Sequence, residues 1–251
     1  MRRVDRRVDR RVKNIPIKTI IPNMITSGSV FCGVSSLILT AHERFIPAAL
    51  LICFAVFFDV MDGRVARSLG GSSAFGEELD SLADAISFGV APAFLIYNAY
   101  VGVESGIWGP LTASFFALCG VLRLARFNVT HVPAGPFQGL PIPAGGLALA
   151  SIVIARLPIT PLVAMSAMCF VGALMVSSVP YCNAKKLKKS NVSRAKLYGL
   201  MTFIALCFFI LREKAFLAMA VMYIISGLVK FDGAEWIMLH AEDERSAHEK
   251  D

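Results

Sequence analysis

Long uncharged runs constrain this chain more than any other feature. Thr19–Ala41 holds 23 consecutive residues without a charge, and Leu157–Ala184 holds 28. A helix needs about 20 apolar residues to cross the hydrocarbon core of a bilayer. In a soluble fold such runs would leave too little polar face for water. Composition agrees: 56% of the residues are hydrophobic and 17% are charged, against about 25% charged in an ordinary soluble domain. A soluble protein with an unusually apolar core is therefore disfavoured.

Eight apolar segments can be drawn, at approximately 19–41, 45–66, 82–103, 106–126, 141–155, 158–180, 197–211 and 215–229. The last two are short and joined by Arg212-Glu213-Lys214, which reads as a helical hairpin with its turn at the surface. The fifth is short and glycine-rich, and is expected to be less regular. The fold expected is all-α, a polytopic transmembrane helix bundle. Residues 1–18 form a basic juxtamembrane segment, 19–229 the transmembrane domain and 230–251 a polar cytoplasmic tail.

The net charge of +7 suggests nucleic acid at first sight, but its distribution argues against that partner. Arg2, Arg3, Arg6, Arg7, Arg10 and Arg11 immediately precede the first apolar run. Lys185, Lys186, Lys188, Lys189, Arg194 and Lys196 lie between two later ones. Basic clusters beside membrane spans attract anionic lipid headgroups and fix topology. With a cytoplasmic N-terminus and eight alternating spans, 21 of the 25 Lys and Arg residues fall on the cytoplasmic side. Arg44, Arg156, Arg212 and Lys214 are the exceptions. Six longer spans with re-entrant pieces would also leave both ends inside. The run RRVDRRVDRRV places valine beside arginine at helical i, i+4 spacing. It reads as an interfacial helix on anionic lipid, or as a basic arm that only sets topology.

The six cysteines, Cys32, Cys53, Cys119, Cys169, Cys182 and Cys207, include no CxxC pair and lie almost wholly in apolar runs. They read as packing residues rather than as a metal site or disulfide framework. The first apolar run is too long for the core of a cleavable signal peptide and lacks a small-residue cleavage pattern.

The chemistry lies between residues 59 and 84. Fourteen uncharged residues, Phe45–Phe58, lead directly into Asp59. Asp62, Gly63, Ala66, Arg67, Gly76, Asp80 and Asp84 follow. Asp59 and Asp62 are three apart, Asp80 and Asp84 four apart, so each pair projects from one helix face. The second span ends and the third begins on the cytoplasmic side, where all four carboxylates can converge. An ionised Asp at membrane depth costs about 2.5–3.5 kcal/mol even on the permissive insertion scale. Arg64 and Arg67 cannot neutralise four acids. Divalent cations such as Mg²⁺ or Mn²⁺ can, because they prefer hard oxygen ligands. Two of them with a phosphate substrate would complete a phosphoryl-transfer centre. Gly63 lets a bulky ligand approach the backbone closely, and Ala66 keeps the same face small.

The pattern Asp59-x2-Asp62-Gly63-x2-Ala66-Arg67-x8-Gly76-x3-Asp80-x3-Asp84 resembles the signature of the CDP-alcohol phosphatidyltransferases at all eight fixed positions. The resemblance implies a helical membrane fold of six core spans, sometimes with extra ones, usually dimeric. It also implies a cytoplasmic site with two divalent metal ions. By position, Asp59, Asp62 and Asp80 would be metal ligands. Asp84 would be the general base and a further contact to metal. Asp62, Gly63, Ala66, Arg67 and Gly76 would border the CDP-lipid.

Two further stretches bear on the acceptor. Ile21-Pro22-Asn23-Met24-Ile25-Thr26 is similar to the family's P-N-x-x-T opening, which implies that Asn23 and Thr26 help hold the nucleotide. The same residues also read as a helix start, with Pro in the first turn and Asn and Thr as caps. Arg123-Leu124-Ala125-Arg126-Phe127-Asn128 and Phe137-x-Gly139-Leu140-Pro141-Ile142-Pro143-Ala144 resemble the phosphatidylserine synthase branch. Two departures stand beside this: Gly28-Ser29 replaces the Gly-Asn of serine-specific members, and Gly145-Gly146 replaces an alanine-rich continuation. Arg126 first, then Arg123, is the candidate for the serine carboxylate or a lipid phosphate, since guanidinium forks suit both. Both also read as topology anchors. The implied reaction joins CDP-diacylglycerol and L-serine into phosphatidylserine and CMP. Glycerol 3-phosphate or inositol phosphate as acceptor, an archaeal-type lipid donor, and a cation transporter using intramembrane acids are the alternatives.

Overall fold

A computed structural model describes residues 17–70, 73–130, 137–181 and 209–229, together with 199, 202 and 207. Among the described residues seven helices carry the fold: α1 Ile17–Ala41, α2 Phe45–Ser68, α3 Ala74–Val101, α4 Trp108–Thr130, α5 Ile142–Ile154, α6 Pro161–Val176 and α7 Ala215–Leu228. The only strands among the described residues are Phe137–Gln138 and Pro180–Tyr181, an antiparallel pair of two residues each. The all-α expectation holds. Most of the basic segment 1–18, the basic cluster 185–196, nearly all of the apolar segment 197–211 and the tail 230–251 lie outside the described residues.

Among the described residues, four helices, Ile20–Ala41, Phe45–Ser68, Ala74–Val101 and Trp108–Val129, are long and apolar enough to cross a membrane. α5 and α6 are apolar but shorter, at 13 and 16 residues. The helices turn large apolar side chains outward. Phe31 is 72% exposed, Phe54 59%, Trp108 68% and Leu162 70%. Such surface suits lipid rather than water. The chain is a multi-pass membrane protein.

Short connections set the neighbours. α1 ends in the turn His42-Glu43-Arg44, where Glu43 takes φ 59° and Arg44 N donates to Leu39 O at 2.8 Å. So tight a turn folds α2 back along α1. Their contact is lined by small and hydroxyl residues. Thr26, Ser29, Ser36 and Thr40 are buried on α1, and Ala48, Ala49, Ile52 and Ala55 on α2. Ser36 Oγ donates to Ala48 O at 2.9 Å. Small residues let membrane helices approach closely, and hydroxyls bond across the seam.

α3 starts eight residues before the apolar segment drawn for it. Ser73 is its N-cap, its Oγ accepting from Gly76 N at 3.1 Å. Glu77 stands in the first turn, where the helix dipole favours an acid. Glu77, Glu78 and Asp80 hide this start in a hydropathy reading. Two stretches of α3, Ala85–Val90 and Tyr97–Val101, are wound as π-helix.

The fifth segment, expected to be less regular, is a regular α-helix with Pro143 in its first turn. Its glycines are packing contacts rather than breaks. A Cβ on Gly146 would lie 3.0 Å from Phe88 Cα, and one on Gly145 would strike Met175 Cε. α5 thus sits at the centre, against α2, α3 and α7, while α4 pairs with α6. Cys32, Cys53, Cys119, Cys169 and Cys207 are free thiols, and Cys182 lies outside the described residues.

Candidate active site

The four aspartates meet where α2 ends and α3 begins. Asp59 and Asp62 lie in the last turns of α2, Asp80 and Asp84 in the first turns of α3. One carboxylate oxygen from each of Asp59, Asp62 and Asp80 lies within 4.8 Å of the other two. Asp62 is 5% exposed and Asp84 9%. Asp84 lies within electrostatic reach of Asp59, Asp80 and Asp62. Directly after Asp84 the helix widens into the π stretch Ala85–Val90. Ser87 and Phe88 within that stretch are fully buried. Such π segments recur at functional sites.

The arrangement fits a hard divalent cation. Metal–oxygen distances of about 2.0–2.6 Å put two oxygens on one ion no more than about 5 Å apart. The three carboxylates meet that limit, and the donor set is oxygen alone.

α1 supplies the next layer. Thr26 Oγ1 donates to Asp62 Oδ2 at 2.7 Å, with Pro22 O 3.1 Å away. Asn23 lies against Gly76, where a Cβ would come within 2.9 Å of its Oδ1. The helix begins at Ile17, so Pro22, Asn23 and Thr26 are interior residues. This overturns their reading as a helix start and caps: Thr26 bonds Asp62, and Asn23 lies beside the first turn of α3. Ser29 joins the same seam, since Ser87 Oγ donates to Ser29 O at 2.9 Å. Arg67 lies along Gly63, where an added Cβ would have Arg67 Nη1 as its nearest neighbour at 3.4 Å. Ala66 is half-buried one turn beyond Asp62.

The two arginines of α4 separate. Arg123 is within electrostatic reach of Asp84 and Asp59. Arg126 Nη1 donates to Val176 O at 3.0 Å, at the last turn of α6. A guanidinium there satisfies an end carbonyl and complements the helix dipole. Arg123 thus stands within electrostatic reach of the acids, and Arg126 ties α4 to α6. Asn128 Nδ2 donates to Ser81 Oγ at 3.0 Å, fixing the end of α4 beside Asp80. One neighbour of the site was missed in the sequence. Tyr223 of α7 lies within electrostatic reach of Arg123. Its signal was a phenol in an otherwise apolar segment, which usually finds a polar partner when buried.

Residues 19–176 match the family described as CDP-alcohol phosphatidyltransferase. Among curated proteins, the chain is 33% identical over 220 residues to the CDP-diacylglycerol–serine O-phosphatidyltransferase of Helicobacter pylori, covering 84% of this chain and 91% of that one. It is 36% identical over 214 residues to the protein of the same description from Methanocaldococcus jannaschii, covering 84% and 94%. It is 38% identical over 173 residues to the archaetidylserine synthase of Methanothermobacter thermautotrophicus, covering 67% and 72%.

Proposed function

The chain belongs to the CDP-alcohol phosphatidyltransferase family, and from that premise we propose that it transfers the phosphatidyl group of CDP-diacylglycerol to L-serine, giving phosphatidylserine and CMP. The observation that carries the reading is the convergence of Asp59, Asp62 and Asp80, with Asp84 and Arg123 alongside. Relatives named for serine as acceptor support that choice over glycerol 3-phosphate or inositol phosphate. Relatives of both diacyl and archaeal-type description leave the donor defined by its CDP headgroup. A cation transporter finds no support, since the acids gather at one end of a helix pair rather than along a path.

Asp59, Asp62 and Asp80 would hold divalent cations, Mg²⁺ or Mn²⁺, with Asp84 adjoining. When bound, two such ions would neutralise the acids and the pyrophosphate and polarise the reacting phosphoryl group. Thr26 fixes the rotamer of Asp62 by its hydrogen bond. Asn23, Gly63, Ala66, Arg67 and Gly76 border the CDP-lipid, and Arg67 offers its guanidinium to phosphate. Arg123 holds the serine carboxylate, with Arg126 behind it fixing the end of α4. Asp84 takes the proton from the serine hydroxyl as general base. The serine oxygen bonds to the lipid-bearing phosphorus, the bond to the bridging oxygen breaks, and CMP leaves. The site and both termini face the cytoplasm, the basic N-terminal segment rests on anionic lipid, and the protein acts as a homodimer.

The test is CMP release by purified protein with CDP-diacylglycerol and, in turn, serine, glycerol 3-phosphate and inositol phosphate. Serine alone should support turnover. EDTA should abolish it, and Mg²⁺ or Mn²⁺ should restore it. Turnover of glycerol 3-phosphate in place of serine would overturn the acceptor, and full activity in chelator would overturn the cations.

A further inference from the structure

α1 bonds to both helices that carry the acids. Thr26 donates to Asp62 of α2, and three residues on Ser29 meets Ser87 of α3. Ser87 Oγ donates to Ser29 O at 2.9 Å, and the two hydroxyl oxygens lie 3.4 Å apart. Ser87 is wholly buried and Ser29 is 1% exposed, so the bond is shielded from water. The next turn of α1 carries Gly33, where an added Cβ would lie 2.9 Å from Ser87 Cα. Gly146 of α5 comes as near to the backbone of Phe88, the following residue. The π stretch Ala85–Val90 is thus held by two helices at consecutive positions. Asp84 stands immediately before it. Along α3, the bond between Ser81 and Asn128 precedes Asp84 and the bond between Ser87 and Ser29 follows it.

We propose that Ser87 is a positioning residue for Asp84: its bond to the Ser29 carbonyl fixes the height and rotation of the turn from which Asp84 reaches the acceptor hydroxyl. The inference rests on the reading of Asp84 as general base. A base works within hydrogen-bond reach of the proton it takes, about 2.6–3.2 Å. A misplacement of about 1 Å can cost about 10²-fold in rate. Asp59 and Asp62 lie on α2, and Asp80 adjoins the Ser81 bond, so loss of the Ser87 bond falls first on Asp84. Its signature is a lower kcat with metal and substrate binding kept. The accepting atom is backbone, so the bond does not depend on which side chain stands at position 29.

The experiment measures kcat, the KM of each substrate, Mn²⁺ affinity by electron paramagnetic resonance and the thermal unfolding midpoint. The proteins are wild type, Ser87→Ala, Asp84→Asn, the double variant of these two, Ser87→Cys and Ser36→Ala. Ser87→Ala should lower kcat by about 10- to 100-fold and leave both KM values and the Mn²⁺ Kd within about threefold. In the Asp84→Asn background the same change should add less than about twofold, because the base it places is gone. Ser36→Ala is the matched control. It removes a buried hydroxyl that donates to Ala48 O at 2.9 Å, about 15 Å along α1 from Thr26. It should lower the unfolding midpoint as Ser87→Ala does, and leave kcat within about twofold. If Ser87→Ala does not purify as folded protein, Ser87→Cys gives the same reading, since its thiol fills the space but is a weak donor. It should lower kcat by at least about threefold with Mn²⁺ affinity kept. An unchanged kcat in Ser87→Ala, or full additivity with Asp84→Asn, overturns the inference alone. A parallel loss of Mn²⁺ affinity, or an equal loss of kcat in Ser36→Ala, assigns Ser87 to packing and overturns it as well. Near-normal turnover by Asp84→Asn overturns the reading of the base and this inference together.

Discussion

Thr26 and Asp62 stand 36 positions apart and meet at 2.7 Å. That bond joins a hydroxyl that would pass for a helix cap to a carboxylate that would pass for a solvated end. Each aspartate near it has a different burden. Asp59, Asp62 and Asp80 crowd together, whereas Asp84 sits beside them facing Arg123. Asp59→Asn, Asp62→Asn and Asp80→Asn should lose Mn²⁺ binding, measured by calorimetry or electron paramagnetic resonance, along with turnover. Asp84→Asn should retain most of the binding and lose turnover by about 10²- to 10⁴-fold, the range for removal of a general base. Near-normal CMP release by Asp84→Asn would remove it from that role. The spacing of these acids exposed their shared faces in the sequence. The neighbours of Thr26, Asn23 and Arg126 stayed hidden, because contacts between helices have no periodicity along the chain.

Among the elements, α5 shows how closely the helices approach. A Cβ on Gly146 would sit 3.0 Å from both Cα and the carbonyl oxygen of Phe88, which are backbone atoms in the π stretch of α3. A Cβ on Gly120 would meet Ile142 Cδ1 at 2.7 Å, the movable end of a side chain. Gly146→Ala should therefore cost about 1–3 kcal/mol, the range for overpacking, and Gly120→Ala less than about 1 kcal/mol. Thermal unfolding in detergent, followed by circular dichroism, would compare them, and equal midpoints would contradict the contact. Hydropathy located the helices because lipid selects apolar side chains along their length. It missed the start of α3, where acids serve the site, and misjudged α5, where glycine serves contact rather than flexibility.

At the scale of the whole molecule, the α1–α2 hairpin and the α2–α3 connection bring Asn23, Thr26, Asp62, Gly76 and Asp80 to one end of the bundle. Arg67 lies at that end too, while Arg44, Arg156 and Arg212 belong to turns beyond other helix ends. With 21 of 25 basic residues assigned to one side, labelling or reporter fusions at residues 5 and 245 should both read as cytoplasmic. An external C-terminus would require an odd number of spans. What the sequence by itself determined is the membrane, the helical class and the carboxylate motif. Hydrophobic length and helical spacing are local properties, written in consecutive residues. What only the tertiary structure decided is which distant groups meet: Thr26 on Asp62, Arg126 on the last carbonyl of α6, and Arg123 within electrostatic reach of Asp84 and Asp59. Those choices follow from how helices rotate and pack against one another, and each rotation is fixed by contacts such as Gly146 on Phe88 and Tyr181 on Gly227 that link distant parts of the chain.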